Sequence, residues 1–266
     1  MSDIDDSGTN LWGRTDESEF SYAVAIPGTN QQVLLRAVQD RDICAGTPAF
    51  PSHGHCVWDA ALLLADYVQT SCCGAAAAAA DEGDGRFQFR GKKVVELGAG
   101  VGLVGMTLAM LGAHVALTDQ DYALPLLAKN VAVNFAAPAV ASQSDAIATV
   151  PVVEKCQWGE PFESCGTLAS WTKSVDVVVF SDALYHETAC LLLIKTLCEL
   201  VSPATDVFFS FETRNATIEA NFMLQLEEKF DVEEISHADN AQAFARFKYP
   251  DELFVFHARL KANGKT

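Results

Sequence analysis

The stretch that most constrains this chain is Val94-Val95-Glu96-Leu97-Gly98-Ala99-Gly100-Val101-Gly102-Leu103-Val104-Gly105. A short apolar run enters a glycine-rich turn, and a helix-length apolar segment follows. Glycines at 98, 100 and 102 let the backbone turn sharply and approach a ligand closely, while Gly105 lets the next helix pack on the strand. The second strand, Val115 to Thr118, ends at Asp119, 21 residues after Gly98. A carboxylate there can accept hydrogen bonds from both hydroxyls of a ribose. The competing reading is a tight turn with Asp119 as a helix cap. A glycine-rich turn alone is weak evidence. Set between a strand and a helix, with an acid at the next strand end, it indicates an adenosine-containing ligand.

The rest of the chain supplies the sheet this turn requires. Ser21 to Ile26 and Gln32 to Val38 flank Pro27-Gly28-Thr29-Asn30 and predict an N-terminal β-hairpin. Trp58 to Val68 carries Trp58, Ala61, Leu62, Ala65 and Val68 on one helical face. From Lys93 onward strands alternate with helices: strands at Lys93 to Leu97, Val115 to Thr118, Val150 to Gln157, Val175 to Phe180, Val207 to Phe211, Phe230 to Ile235 and Leu253 to Leu260. Between them, Asp121 can cap a helix with Leu124, Leu127 and Val131 aligned. Glu187 to Val201 turns Leu191, Ile194, Leu197 and Cys198 inward, and Ala216 to Lys229 aligns Ile218, Phe222 and Leu226. Such alternation means an α/β fold: a Rossmann-like, seven-stranded, mostly parallel sheet with helices on both faces. The expected organisation is a disordered acidic tail over residues 1–19 and a single domain over 20–266. Within that domain the hairpin and a loop occupy 20–56, and an alanine-rich surface insertion occupies 70–90.

A second signal is Val177-Val178-Val179-Phe180-Ser181-Asp182-Ala183-Leu184-Tyr185. Asp182 and Tyr185 follow an apolar strand, at the carboxyl edge where open α/β sheets place their sites. An acid can orient an amine that must lose its proton before attack, and a tyrosine can face that amine through ring or hydroxyl. The plainer reading is a helix cap followed by a packed aromatic. Glu96, two residues before the first glycine, disfavours a pyrophosphate and suits the cationic end of a methionine moiety, which points to S-adenosylmethionine rather than NAD.

Five segments occur together and in order: Val57-Trp58-Asp59-Ala60-Ala61, the glycine-rich turn, Leu111-Gly112-Ala113-His114-Val115 with Thr118-Asp119, Gln157-Trp158-Gly159, and Ser181-Asp182-Ala183-Leu184-Tyr185. Over residues 20–260 the chain resembles the methyltransferase-like 21 group of seven-β-strand methyltransferases. The resemblance implies an S-adenosylmethionine-dependent protein-lysine N-methyltransferase acting on a non-histone protein: a chaperone, an AAA ATPase or an elongation factor. It implies that Trp58, Gly98, Ala99, Gly100, Asp119, Trp158 and Ser181 serve the cofactor, beside Glu96, assigned to it from its charge, and that Asp182 and Tyr185 are catalytic. A small-molecule N-methyltransferase is the alternative. The loops at 70–90, 136–149 and Phe211-Glu212-Thr213-Arg214 depart from the group's pattern, and Glu212 with Arg214 suits an ion pair that shapes the site as well as a substrate contact.

Composition narrows the partners. Among 266 residues, 35 acids against 18 bases give a formal charge of −17, a surface that repels phosphate backbones, so no nucleic-acid partner is expected. No apolar run nears the roughly 20 residues of a membrane span, and the N-terminus lacks a basic-then-apolar leader. Eight scattered cysteines and a lone His53-x-His55-Cys56 cluster suit reduced thiols rather than disulfides or a metal site. A cytoplasmic monomer is the expectation.

Overall fold

The computed structural model describes residues 17–26, 30–44, 54–72, 89–135, 148–162 and 166–262. The hairpin forms as expected: β1 (Glu19–Ala25) pairs antiparallel with β2 (Gln32–Val38), with Tyr22 opposite Leu35. Its turn at 27–29 lies outside the described residues, as do residues 1–16 of the expected tail and 73–88 of the insertion. Of the tail, residues 17 and 18 are held to the hairpin's far end. Ser18 accepts from the Gln39 amide at 2.8 Å, and the Glu17 carbonyl accepts from Gln39 Nε2 at 2.9 Å.

Seven further strands make one sheet: β3 (Lys93–Leu97), β4 (His114–Asp119), β5 (Val152–Lys155), β6 (Val177–Ser181), β7 (Asp206–Glu212), β8 (Phe230–Glu234) and β9 (Leu253–Leu260). Their spatial order is β5-β4-β3-β6-β7-β9-β8. All neighbours from β5 to β7 are parallel, and β9 runs antiparallel to both β7 and β8. From β3 the chain winds outward to β5 and then returns to the other side with β6. The order therefore reverses between β3 and β6, and a crevice opens at their carboxyl ends.

Helices cover both faces. On one lie α1 (Asp59–Tyr67), continued by a π-helical stretch Val68–Cys72, with α2 (Leu103–Met110), α3 (Leu124–Phe135) and the hairpin. On the other lie α4 (Gly166–Trp171), α5 (Glu187–Leu200) and α6 (Ala216–Glu227). A short α7 (Ala241–Phe244) packs against α1. The second face is an aromatic layer. Phe180, Phe209 and Phe256 sit at register-matched positions on β6, β7 and β9 and stack at 4.8 and 5.0 Å, while Phe222 from α6 meets Phe209 edge-on at 6.0 Å.

Three expectations need correction. Helix α1 is not amphipathic: Leu62, Leu63, Leu64 and Ala65 are all fully buried, because it is enclosed by the hairpin, α2, α7 and the sheet. Helix α5 turns Cys190, Leu193, Ile194, Leu197 and Leu200 inward; Leu191 is 46% exposed, one helical step off that face. Asp121 does not serve as the cap of α3 but pairs with Lys155 at 2.5 Å. Helices α4 and α7 had no periodic signal, being six and four residues long.

The hairpin is tied down by side chains. Asn130 and Asn134, four apart on α3, treat the outer edge of β2 as a strand would. Asn134 accepts from the Arg36 amide and donates to the Arg36 carbonyl, both at 2.8 Å. Asn130 accepts from the Val38 amide at 2.7 Å and donates to the Val38 carbonyl at 3.1 Å. Two amides thus close an edge otherwise open to strand addition. On the other side Tyr22 donates to Asp66 of α1 at 2.8 Å, and Arg246 pairs with the same carboxylate.

Candidate active site

The glycine-rich turn closes over the end of β3. Gly98, Gly100 and Gly102 have φ of 67°, 54° and 82°, the left-handed region. A side chain at 98 would meet the Trp158 ring at 3.0 Å, and one at 100 would meet the Gly54 backbone at 3.4 Å. The bare turn therefore forms a cradle floor between Trp158 and the segment before α1. The Ala99 amide donates to the Thr118 carbonyl at 2.9 Å, which fastens the turn to β4.

Asp119 ends β4 beside this cradle. Its two carboxylate oxygens accept from the Gly100 amide at 2.8 Å and the Gln120 amide at 2.7 Å. Burial raises its pKa and the two amides oppose that rise. Each oxygen keeps a further lone pair for a hydroxyl, so the residue is both a brace for the turn and an oriented acceptor.

Glu96 does not reach the pocket. Strand alternation directs it beneath α2, where Oε2 accepts from the Gly105 amide at 2.8 Å in a site 2% exposed. Gly105 is required there, since a side chain would meet Glu96 Oε2 at 2.6 Å and collide with Leu117. Burial pushes the Glu96 carboxyl up to about 8; the Gly105 amide opposes the shift and Asp119 adds to it.

At the end of β6 the backbone turns at Asp182, which has φ of 53°, uncommon outside glycine. Its amide still donates to the Ser210 carbonyl at 2.9 Å, as the ladder with β7 demands. The turn delivers a nearly buried carboxylate, 6% exposed, to Arg214 Nη2 at 2.8 Å. Arg214 also pairs with Glu212 at 2.5 Å and lies 5.0 Å above the Trp58 ring. Burial raises the pKa of Asp182, while Arg214 and the Glu212 amide lower it. For Arg214 burial works against the charge, and the pull of Asp182 and Glu212 outweighs it. The Arg214 loop is itself built by Glu219 of α6, which accepts from the Arg214 and Asn215 amides at 2.7 Å each and from the Thr213 hydroxyl at 2.7 Å. Asn215 caps the helix by accepting from the Ile218 amide.

A cavity of about 220 Å³ runs between these two strand ends. Nine of the ten site residues expected from sequence line it: Trp58, Gly98, Ala99, Gly100, Asp119, Trp158, Ser181, Asp182 and Tyr185; Glu96 is the exception. The wall also holds Gly54, Gln120, Tyr122, Cys156 and Arg214. Gln120, Tyr122 and Cys156 follow the ends of β4 and β5, so the strand-end rule that found Asp119 and Asp182 would have found them. Gly54 carries no such signal. Tyr185 is half exposed at the mouth. His186 takes the position before the first turn of α5. Among the described residues no cluster of three or more His, Cys, Asp or Glu could hold a metal, and no helix is long and apolar enough to cross a membrane.

A reversal point between β3 and β6, a glycine cradle and a braced acid at the next strand end fit an adenosine-bearing ligand; Glu96, turned under α2, does not separate S-adenosylmethionine from a dinucleotide as its sequence position suggested. Fold, site and a match to a lysine methyltransferase family together define a class I, S-adenosylmethionine-dependent methyltransferase. The fold is also that of the solved 16S rRNA N2 G1207 methyltransferase of T. thermophilus in complex with AdoMet and guanosine. The TM-score is 0.50 at 17% identity, over 92% of this chain and 51% of that one. The model of a family described as lysine methyltransferase matches residues 42–229, and the chain belongs to that family. EEF1A lysine methyltransferase 3 of Xenopus tropicalis is 35% identical over 158 residues, 59% of this chain and 57% of that protein. Protein N-lysine methyltransferase METTL21A of Mus musculus is 31% identical over 181 residues, 68% of this chain and 70% of that protein. The chain thus matches little more than half the length of the first relative and over two thirds of the second.

Proposed function

We propose that the protein methylates the ε-amine of a lysine in a non-histone protein, with S-adenosylmethionine as donor. One observation carries the reading: a braced ribose acceptor, Asp119, and an acid–tyrosine pair, Asp182 and Tyr185, face one cavity at the reversal point of the sheet. S-adenosylmethionine supplies an electrophilic methyl group on a sulfonium. Asp119 holds the ribose hydroxyls, the Gly98–Gly100 turn bounds the methionine end, and Trp58 and Trp158 flank the ligand. Glu96 acts indirectly, by fixing the start of α2 behind the turn.

Asp182 and Tyr185 handle the acceptor. A lysine amine has a reference pKa of about 10.4 and must shed a proton to water before its lone pair can attack. Asp182 orients the amine by accepting its N–H bonds; Tyr185 walls the mouth and keeps bulk water from the line of approach. The cavity wall around Arg214 holds the Asp182 carboxylate and the rings of Trp58 and Tyr185, which suits a long cationic side chain better than a neutral small molecule. The name of the Xenopus relative supports a translation elongation factor as substrate, ahead of a chaperone or an AAA ATPase. The scattered cysteines of the sequence suit a reducing compartment, and we place the enzyme in the cytoplasm as a monomer without a nucleic-acid partner. The test is methyl transfer from tritiated S-adenosylmethionine into size-separated lysate proteins. Label confined to the small-molecule fraction refutes the reading.

A further inference from the structure

Among the described residues lining the cavity, Arg214 is the sole cation. It is bonded to Asp182 at 2.8 Å and to Glu212 at 2.5 Å, and its guanidinium lies over Trp58. The loop that carries it is fixed by three hydrogen bonds into Glu219. Asp59, in the first turn of α1, adds negative charge that acts on both Asp182 and Glu212. Tyr185 also faces this end, and Asp119 and Tyr122 of the same cavity interact with it electrostatically. The acceptor end would thus hold at least two carboxylates and no counter-charge without Arg214.

That balance matters for a methyl acceptor. Carboxylates attract a lysine side chain, but they favour its ammonium form, which has no lone pair to donate. A fixed guanidinium cannot lose its own proton, so it offsets that preference at every working pH. We propose that Arg214 is a positioning residue for the methyl acceptor: by holding Asp182 and cancelling carboxylate charge at the mouth, it lets the site draw in a lysine without locking it as ammonium. This rests on the lysine-methylation reading.

The pH dependence of turnover separates this role from a structural one. Losing the cation raises the pKa of the bound amine and also that of Asp182, whose burial it opposes. Both effects move the rising limb of kcat to higher pH. A unit charge a few ångströms away, partly screened by solvent, is worth about one pH unit. The experiment measures tritium transfer into the main labelled lysate band from pH 6.5 to 9.5 for the wild type, Arg214→Gln and Arg214→Lys, with cofactor affinity by calorimetry and folding by thermal melt. The expected result is a limb displaced upward by about one unit in Arg214→Gln and near the wild-type position in Arg214→Lys, with cofactor affinity kept within about twofold. Three results overturn the proposal. A uniform fall in kcat at every pH means Arg214 only maintains the loop. A lower KM with an unchanged pH profile means it merely competes with the substrate. Failure of Arg214→Lys to restore the limb removes charge as the cause. A wild-type enzyme that labels no protein defeats the lysine reading itself, and this proposal with it.

Discussion

Glu96→Gln should make the protein more stable at alkaline pH, and the gain should grow as pH rises. In the folded chain the carboxyl is buried under α2 with a pKa near 8, against 4.5 for the free group. A group raised on folding contributes fully below its unfolded pKa, and that contribution is lost as pH climbs through the folded value. The difference of 3.5 units corresponds to about 5 kcal/mol at full ionisation, of which about 4 kcal/mol falls between pH 5 and 9. The opposing effect is the attraction of a carboxylate to a helix N-terminus, about 0.3–2 kcal/mol, so burial wins. Glutamine keeps the shape and the oxygen that accepts from Gly105, but cannot ionise. Urea unfolding at pH 5, 7 and 9 reads the difference between variant and wild type. It should widen by several kcal/mol in favour of the variant. A variant less stable by the same amount at every pH would show that Glu96 is a stabilising anion at the helix start, and the argument would fail.

Other perturbations follow from the same contacts. Asp119→Ala should weaken S-adenosylmethionine binding by about 1.5–3 kcal/mol through the lost charge-assisted acceptor; unchanged affinity by calorimetry in a folded variant refutes the ribose assignment. Asn134→Ala should cost about 2–3 kcal/mol of stability, because two paired backbone groups of Arg36 lose their partner, and hydrogen exchange at the Arg36 amide should rise. Asp182→Asn should lower kcat far more than cofactor affinity, and Tyr185→Phe should hurt less than Tyr185→Ala because the ring survives. Loss of cofactor binding in a folded Asp182→Asn would place that residue in the cofactor's part of the cavity.

The sheet was legible because its signals are local. β6 is apolar on both faces, β3 and β7 are mostly apolar, and the glycines at 98, 100 and 102 mark a turn that few other residues could make. The strand-end rule placed Asp119 and Asp182 for the same reason. What escaped depends on contacts remote in sequence. Nothing near Glu96 reveals that strand alternation turns it under α2, away from the cavity. Asn130 and Asn134 read as ordinary polar positions on α3 until β2, more than 90 residues earlier, is laid beside them. Arg214 could be read from sequence as ion-paired or substrate-facing; the positive φ at Asp182 and the Glu219 anchor decide that it bridges two carboxylates.

The most direct test is peptide mass spectrometry of lysate proteins incubated with the purified enzyme and S-adenosylmethionine carrying a deuterated methyl group. Heavy methyl on the ε-amine of a lysine in one or a few proteins, absent with Asp182→Asn, is the predicted result. Heavy methyl only on arginine, on a terminal amine or on small molecules would contradict the account.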